Sequence, residues 1–101
     1  PFAGAHLHEK RPGHFIDPLT GATLFRSQAK FDSGCGWPSF FAPIDDALVL
    51  REDASHGMLL IDVLSASSGI HLGHVFDDGP QPTGKRFCIN GNVLDFVPDK
   101  A

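Results

Sequence analysis

Lys85-Arg86-Phe87-Cys88-Ile89-Asn90-Gly91-Asn92-Val93-Leu94-Asp95-Phe96-Val97 carries the strongest local signal in the chain. Two runs rich in apolar and β-branched residues flank Asn90-Gly91, a dipeptide favoured in two-residue turns of the primed types. The stretch therefore reads as a β-hairpin. Strand alternation puts Phe87 and Ile89 on one face and Arg86, Cys88 and Asn90 on the other. With Asn90-Gly91 as the turn, Arg86 sits opposite Asp95 and Cys88 opposite Val93. One polar face then carries a thiol beside a guanidinium.

Working outward, the rest of the chain repeats short apolar runs between turn signals. Candidate strands are His14 to Ile16, Thr23 to Arg26, Ala47 to Arg51, Met58 to Leu64, Arg86 to Ile89 and Val93 to Val97. The breaks fall at Arg11-Pro12-Gly13, Asp17-Pro18, Thr20-Gly21, Asp78-Gly79-Pro80 and Thr83-Gly84. His71-Leu72-Gly73-His74-Val75-Phe76 reads as a strand end leading into the Asp78 turn. No stretch holds a long 3.6-residue period, and Pro43 to Leu48 is the place for a single helical turn. The expected fold is mainly β, with small antiparallel sheets and long functional loops in one domain over residues 1–101.

Composition narrows the function. Hydrophobic residues at 42% and charged residues at 20% supply a core and exclude wholesale disorder. No apolar run approaches the roughly 18 residues of a membrane span. A formal net charge of -4, with eight scattered Lys and Arg, argues against a nucleic-acid partner.

Two cysteines are too few for a disulfide-rich scaffold or a four-thiolate metal site. Cys35 and Cys88 therefore form a structural bridge, two unrelated buried thiols or a redox couple. Cys88 follows Lys85-Arg86, and neighbouring positive charge favours a thiolate; a buried strand cysteine is the plainer reading. Cys35 lies between Gly34 and Gly36, which give its loop the freedom a resolving thiol needs. A tight turn with core aromatics explains the same residues, and Trp37, held extended before Pro38, either lines a pocket or packs. His71 and His74, three apart, suggest a metal pair on a helix. Gly73 and the surrounding strand signals favour hydrogen-bonding histidines instead.

Taken together, these segments resemble the methionine sulfoxide reductase B family. The motifs are Phe31 to Phe40 (FDSGCGWPSF), Ser55-His56-Gly57-Met58, His71 to Phe76 (HLGHVF), Asp78 to Pro82 (DGPQP) and Arg86 to Asn90 (RFCIN). They stand in the family's order over nearly the whole chain; the helical segment that many members carry upstream is expected to be absent. The resemblance implies a mainly β fold of two antiparallel sheets. It also implies reduction of the R epimer of methionine sulfoxide, free or in oxidised proteins.

By the same resemblance Cys88 is the nucleophile that becomes a sulfenic acid. Cys35 is the thiol that condenses with it to a disulfide, and thioredoxin is the reductant. His74 is the expected acid with His71 assisting, and Asn90 holds substrate or water. Trp37 receives the substrate methyl group, Arg86 keeps the thiol ionisable, and Asp62 and Phe40 complete the substrate-binding set. No cofactor takes part. A cytoplasmic monomer is expected.

Two departures stand out. Many members hold a structural zinc with two CxxC pairs, and the matching positions here are Asp17, Thr20, Ser65 and Ser68. Without thiolates, no metal is expected. Where the family reads Glu-Val-Arg-Ser, this chain has Asp62-Val63-Leu64-Ser65, so the carboxylate stays and the guanidinium goes. Leu64 is the one feature that favours a non-catalytic binding module for a peptide or small ligand. The retained cysteines, histidines and Asn90 favour the enzyme.

Overall fold

A computed structural model describes residues 5–54, 57 and 59–99. Among them the chain forms nine strands: β1 (Gly13–Ile16), β2 (Thr23–Arg26), β3 (Lys30–Phe31), β4 (Ser39–Phe40), β5 (Leu48–Asp53), β6 (Leu60–Ser65), β7 (His71–Phe76), β8 (Arg86–Ile89) and β9 (Asp95–Pro98). They make two antiparallel sheets, ordered β2-β1-β9 and β3-β4-β8-β7-β6-β5. The mainly β architecture is the expected one. Of the Ser55 to Met58 motif, only Gly57 is among the described residues. No helix among the described residues is long and apolar enough to cross a membrane.

The hairpin over Lys85 to Val97 does not form. β8 pairs with β4 and β7, whereas β9 crosses to the other sheet and pairs with β1. Asp95 therefore faces Ile16 rather than Arg86, and Cys88 lies between Ser39 and His74 rather than opposite Val93. The reason lies at Asn90-Gly91. A primed turn needs left-handed backbone, but Asn90 has φ -68 and caps a 3-10 turn over Gly91–Val93 through its side chain. Gly91 serves close approach instead, since a Cβ there would collide with the backbone carbonyl of Ala5. The Asn-Gly signal was real but marks a crossing between sheets.

Four other elements differ from the expected ones. Pro43 to Leu48 holds no helix; Ala47 N–H donates to the Ile44 carbonyl at 3.1 Å, and Asp46 takes φ 63. The two-residue strands β3 and β4 are too short to show a period. β7 is a full strand rather than a strand end, because Gly73 lacks the Cβ that would strike the Cys88 carbonyl of β8.

The core joins the sheets through aromatic rings. Phe40 of β4 stacks on Phe25 of β2 at 4.2 Å between centroids and meets Phe15 of β1 edge-on at 5.1 Å; all three are fully buried. Such pairs add about 0.5–1.5 kcal/mol each beyond the area they bury. Phe87 and Ile89 enter this core, while Arg86 and Cys88 point to the opposite face, as alternation along the strand requires.

Asp17 is a fully buried carboxylate at the end of β1. Its Oδ2 accepts from Ser65 Oγ at 2.5 Å and Ser68 Oγ at 2.6 Å, its Oδ1 accepts from Leu19 N at 2.7 Å, and Thr20 Oγ1 lies 2.6 Å from Ser67 Oγ. The four positions where relatives of the resembled family hold zinc thus converge. Their one carboxylate and three hydroxyls do not suit a tetrahedral zinc, which in structural sites takes thiolates or imidazoles. Hydrogen bonds tie the two loops together instead.

Burial alone would raise the Asp17 carboxyl, but the Ser65 and Ser68 hydroxyls and the Leu19 and Thr20 amides bring it down from 3.8 to about 2. A depressed native pKa contributes stability that is present above the unfolded value and lost as pH falls through the native one. We expect Asp17→Ala to destabilise the fold by roughly 1–3 kcal/mol, because buried hydroxyls lose their acceptor. Thermal melts should show wild type losing stability between about pH 4 and pH 2, with Asp17→Asn lacking that part of the drop. A chelator should leave the wild-type melt unchanged.

Candidate active site

One row of residues crosses the six-stranded sheet on the face turned away from the aromatic core. Ser39 of β4 pairs with Cys88 of β8, Cys88 with His74 of β7, His74 with Asp62 of β6, and Asp62 with Arg51 of β5. Directly opposed residues on adjacent strands bring their Cβ atoms to about 5 Å. Sheet register alone therefore lines up a hydroxyl, a thiol, an imidazole, a carboxylate and a guanidinium.

His71 joins the row through an irregularity. Residues three apart on a regular strand point to opposite faces. Here the register slips between Val63 and Leu64, so Gly73 faces Val63 and His71 faces Leu64, which leaves Leu72 as the extra residue. A bulge of this kind re-aims the side chains beyond it. Both imidazoles then reach one oxygen, with His71 Nε2 at 3.0 Å and His74 Nε2 at 3.1 Å from Asp62 Oδ1. Arg51 Nη2 donates to Asp62 Oδ2 at 3.3 Å. The Asp62 side chain is only 4% exposed, and its carboxyl lies below the usual range. The His71 hydrogen bond is the main cause; burial opposes it and Arg51 assists.

The Cys35 loop closes over the other end of the row. Gly34 at φ 77 and Gly36 at φ 88 flank Cys35, and left-handed backbone there favours glycine. Ser33 Oγ and Ser39 Oγ are hydrogen-bonded at 2.7 Å, and Ser33 Oγ accepts from Cys35 N. Cys35 Sγ lies 2.8 Å from Cys88 Sγ and 3.4 Å from Ser39 Oγ; both cysteines are free thiols, Cys35 exposed and Cys88 half-buried.

At 2.8 Å the two sulfurs are hydrogen-bond partners, and their titrations are coupled. Burial pushes Cys88 up to about 12, and Cys35 adds to the rise; Arg86 pulls the other way and does not prevail. Cys35 comes down to about 6: burial opposes this, and the Cys88, Ser33 and Ser39 hydrogen bonds with a backbone hydrogen bond at Trp37 bring it about. The first thiolate of the resting pair thus sits on the exposed sulfur. Arg86 is clamped on Asp78 by two bonds of 2.8 and 3.1 Å and lies over the Phe76 ring at 4.3 Å.

Of the residues singled out in the sequence, Cys35, Cys88, His71, His74, Asp62 and Arg86 share this face. Asn90 follows β8, and its Oδ1 accepts from Asn92 N at 2.9 Å. Half-buried Trp37 lies in the closing loop, with its carbonyl accepting from Ser39 Oγ. Phe40 is elsewhere: it is fully buried among Phe15 and Phe25 on the core face, where it supports the sheet and touches no thiol. Ser33, Ser39, Asp78 and Arg51 are the partners that sequence reasoning missed. Ser33, Ser39 and Asp78 lie inside the quoted motifs, while nothing local marks Arg51.

The SelR domain matches residues 1–98. A Pseudomonas putida protein named peptide methionine sulfoxide reductase MsrB is 54% identical over 99 residues, which cover 97% of this chain and 74% of that protein. Proteins of the same name from two other strains of the species are 50% identical over 97% of this chain and 76% of their own lengths. With the domain matched across the chain and at least half of the aligned residues shared, the chain belongs to the SelR domain family, the MsrB-type methionine sulfoxide reductases, and is an oxidoreductase.

Proposed function

We propose that the chain reduces methionine R-sulfoxide with Cys88 as nucleophile and Cys35 as resolving thiol. The observation that carries this reading is the 2.8 Å approach of the two free thiols at one end of a row that continues through His74 and Asp62. Cys88 attacks the sulfoxide sulfur while its proton passes to the Cys35 thiolate. His74, held by Asp62, protonates the oxygen that must leave the substrate, with His71 beside it. The oxygen ends on Cys88 as a sulfenic acid, and methionine departs.

Cys35 then attacks that sulfur, a disulfide forms and water leaves. Each cycle oxidises two thiols and reduces one sulfoxide. Asn90, fixed through its own Oδ1, has its amide N–H groups as donors for substrate or water. Trp37, in the loop that carries Cys35, receives the substrate methyl group. The exposed Cys35 sulfur is the one an incoming thiol of thioredoxin reaches, which returns both cysteines to the reduced state.

The test is the intact mass of fully reduced protein after mixing with the R epimer, with the S epimer as control. A loss of about two mass units with the R epimer alone is expected, for two thiols becoming one disulfide. No change with either epimer would overturn the reading and favour a binding module.

A further inference from the structure

The fifth member of the cross-sheet row has no part in the reaction as described above. Arg51 leaves β5 directly opposite Asp62, and its side chain is 61% exposed while the carboxylate it meets is 4% exposed. Asp62 carries an unusual load. One oxygen faces two imidazoles within 3.1 Å, and the other accepts from Arg51. The oxygen that His71 hydrogen-bonds and that His74 Nε2 lies against holds ring N–H groups most strongly when the carboxylate is ionised, and ionisation away from water needs nearby positive charge. A guanidinium keeps its charge across the whole working pH range.

We propose that Arg51 is a positioning residue for the reductase reaction: it keeps Asp62 ionised and turned so that one oxygen holds both His71 and His74. The proposal rests on the reductase reading above. The exposed Arg51 works through Asp62 and touches neither thiol. It also places a guanidinium against this carboxylate from the neighbouring strand, although position 64, two residues along β6 from Asp62, holds leucine.

The groups facing Asp62 give the sign of the pH effect. From β5 come Arg51, which lowers the carboxyl, and Asp53, which raises it; from β7 come His71 and His74. Cys88 and Arg86 lie one strand further on. Removing Arg51 lets Asp62 take up a proton at higher pH. A protonated Asp62 holds the imidazoles more weakly, so activity on the acid side fails earlier.

The experiment is a pH profile of kcat and KM for R-sulfoxide reduction by wild type, Arg51→Met and Arg51→Lys, each checked by thermal melt. Arg51→Met should lower kcat about two- to fivefold at neutral pH, the range of a partly exposed ion pair. Its acid limb should move upward with KM unchanged, and Arg51→Lys should bring most of that limb back. In an Asp62→Asn background, Arg51→Met should add nothing further. A profile for Arg51→Met that superimposes on wild type, or an undiminished effect in the Asp62→Asn background, would overturn the proposal. A wild type inactive on both epimers would instead defeat the reductase reading itself.

Discussion

Replacing Cys88 with serine removes R-sulfoxide reduction, with turnover falling by roughly 10³-fold or more. The hydroxyl keeps the shape of the side chain, so the half-buried position between Ser39 and His74 is filled and the sheet pairing is unaffected. What is lost is sulfur. A serine hydroxyl is far less acidic than a thiol and cannot take the substrate oxygen as a sulfenic acid. Arg86 and His74 remain in place and do not substitute for it. The reading is made with the intact-mass assay and with methionine release in the presence of excess reductant. Methionine formation above about a tenth of the wild-type rate would mean that another group is the nucleophile, with Cys35 the first to examine.

The second large effect separates the two thiols. Cys35→Ser should still release one methionine per chain in a single turnover, then stop cycling with thioredoxin. Without Cys35 the sulfenic acid on Cys88 has no thiol within reach, since Cys35 is the sulfur that lies at 2.8 Å. It should persist long enough to be trapped by a sulfenic-acid reagent. The variant also loses the hydrogen bond and the charge of Cys35 that add to the rise of Cys88, leaving burial as its main cause. The pH dependence of the single turnover then reports the ionisation of Cys88 without its partner thiol, which should begin at lower pH than in the wild-type pair. Thioredoxin-driven turnover unchanged in Cys35→Ser would remove Cys35 from the mechanism and leave the approach of its loop to β8 without a catalytic purpose.

The contrast between Leu64 and Arg51 bears on the alternative of a binding module. Leucine at position 64 is the feature of the sequence that points away from catalysis. In the folded chain a guanidinium nevertheless meets the Asp62 carboxylate from β5. Charge compensation at a buried carboxylate depends on which strand lies alongside it, and either neighbour can provide the cation.

The sequence by itself determined the class of fold, the two thiols and the two histidines. Short apolar runs between Gly and Pro turns without a 3.6-residue period favour strands, and alternation in Arg86-Phe87-Cys88-Ile89 places the thiol on the face opposite Phe87 and Ile89 whatever the strand pairs with. The motif residues Cys35, Trp37, His71, His74, Cys88 and Asn90 are chemical types whose order along the chain carries the family. Tertiary structure decided the rest. Asn90-Gly91 reads as a turn locally, yet β9 leaves for the other sheet because Gly91 must pass the backbone of Ala5. His71 and His74 share a face because β7 carries an extra residue against β6. Phe40 belongs to the core because β4 pairs with β8 in a register that turns it towards Phe25. Arg51 enters the site because the β5–β6 register sets it opposite Asp62, eleven residues away, which no local motif marks. Periodicity and turn chemistry act over a few residues, whereas strand partner and register are set by where the whole chain can bury its apolar faces.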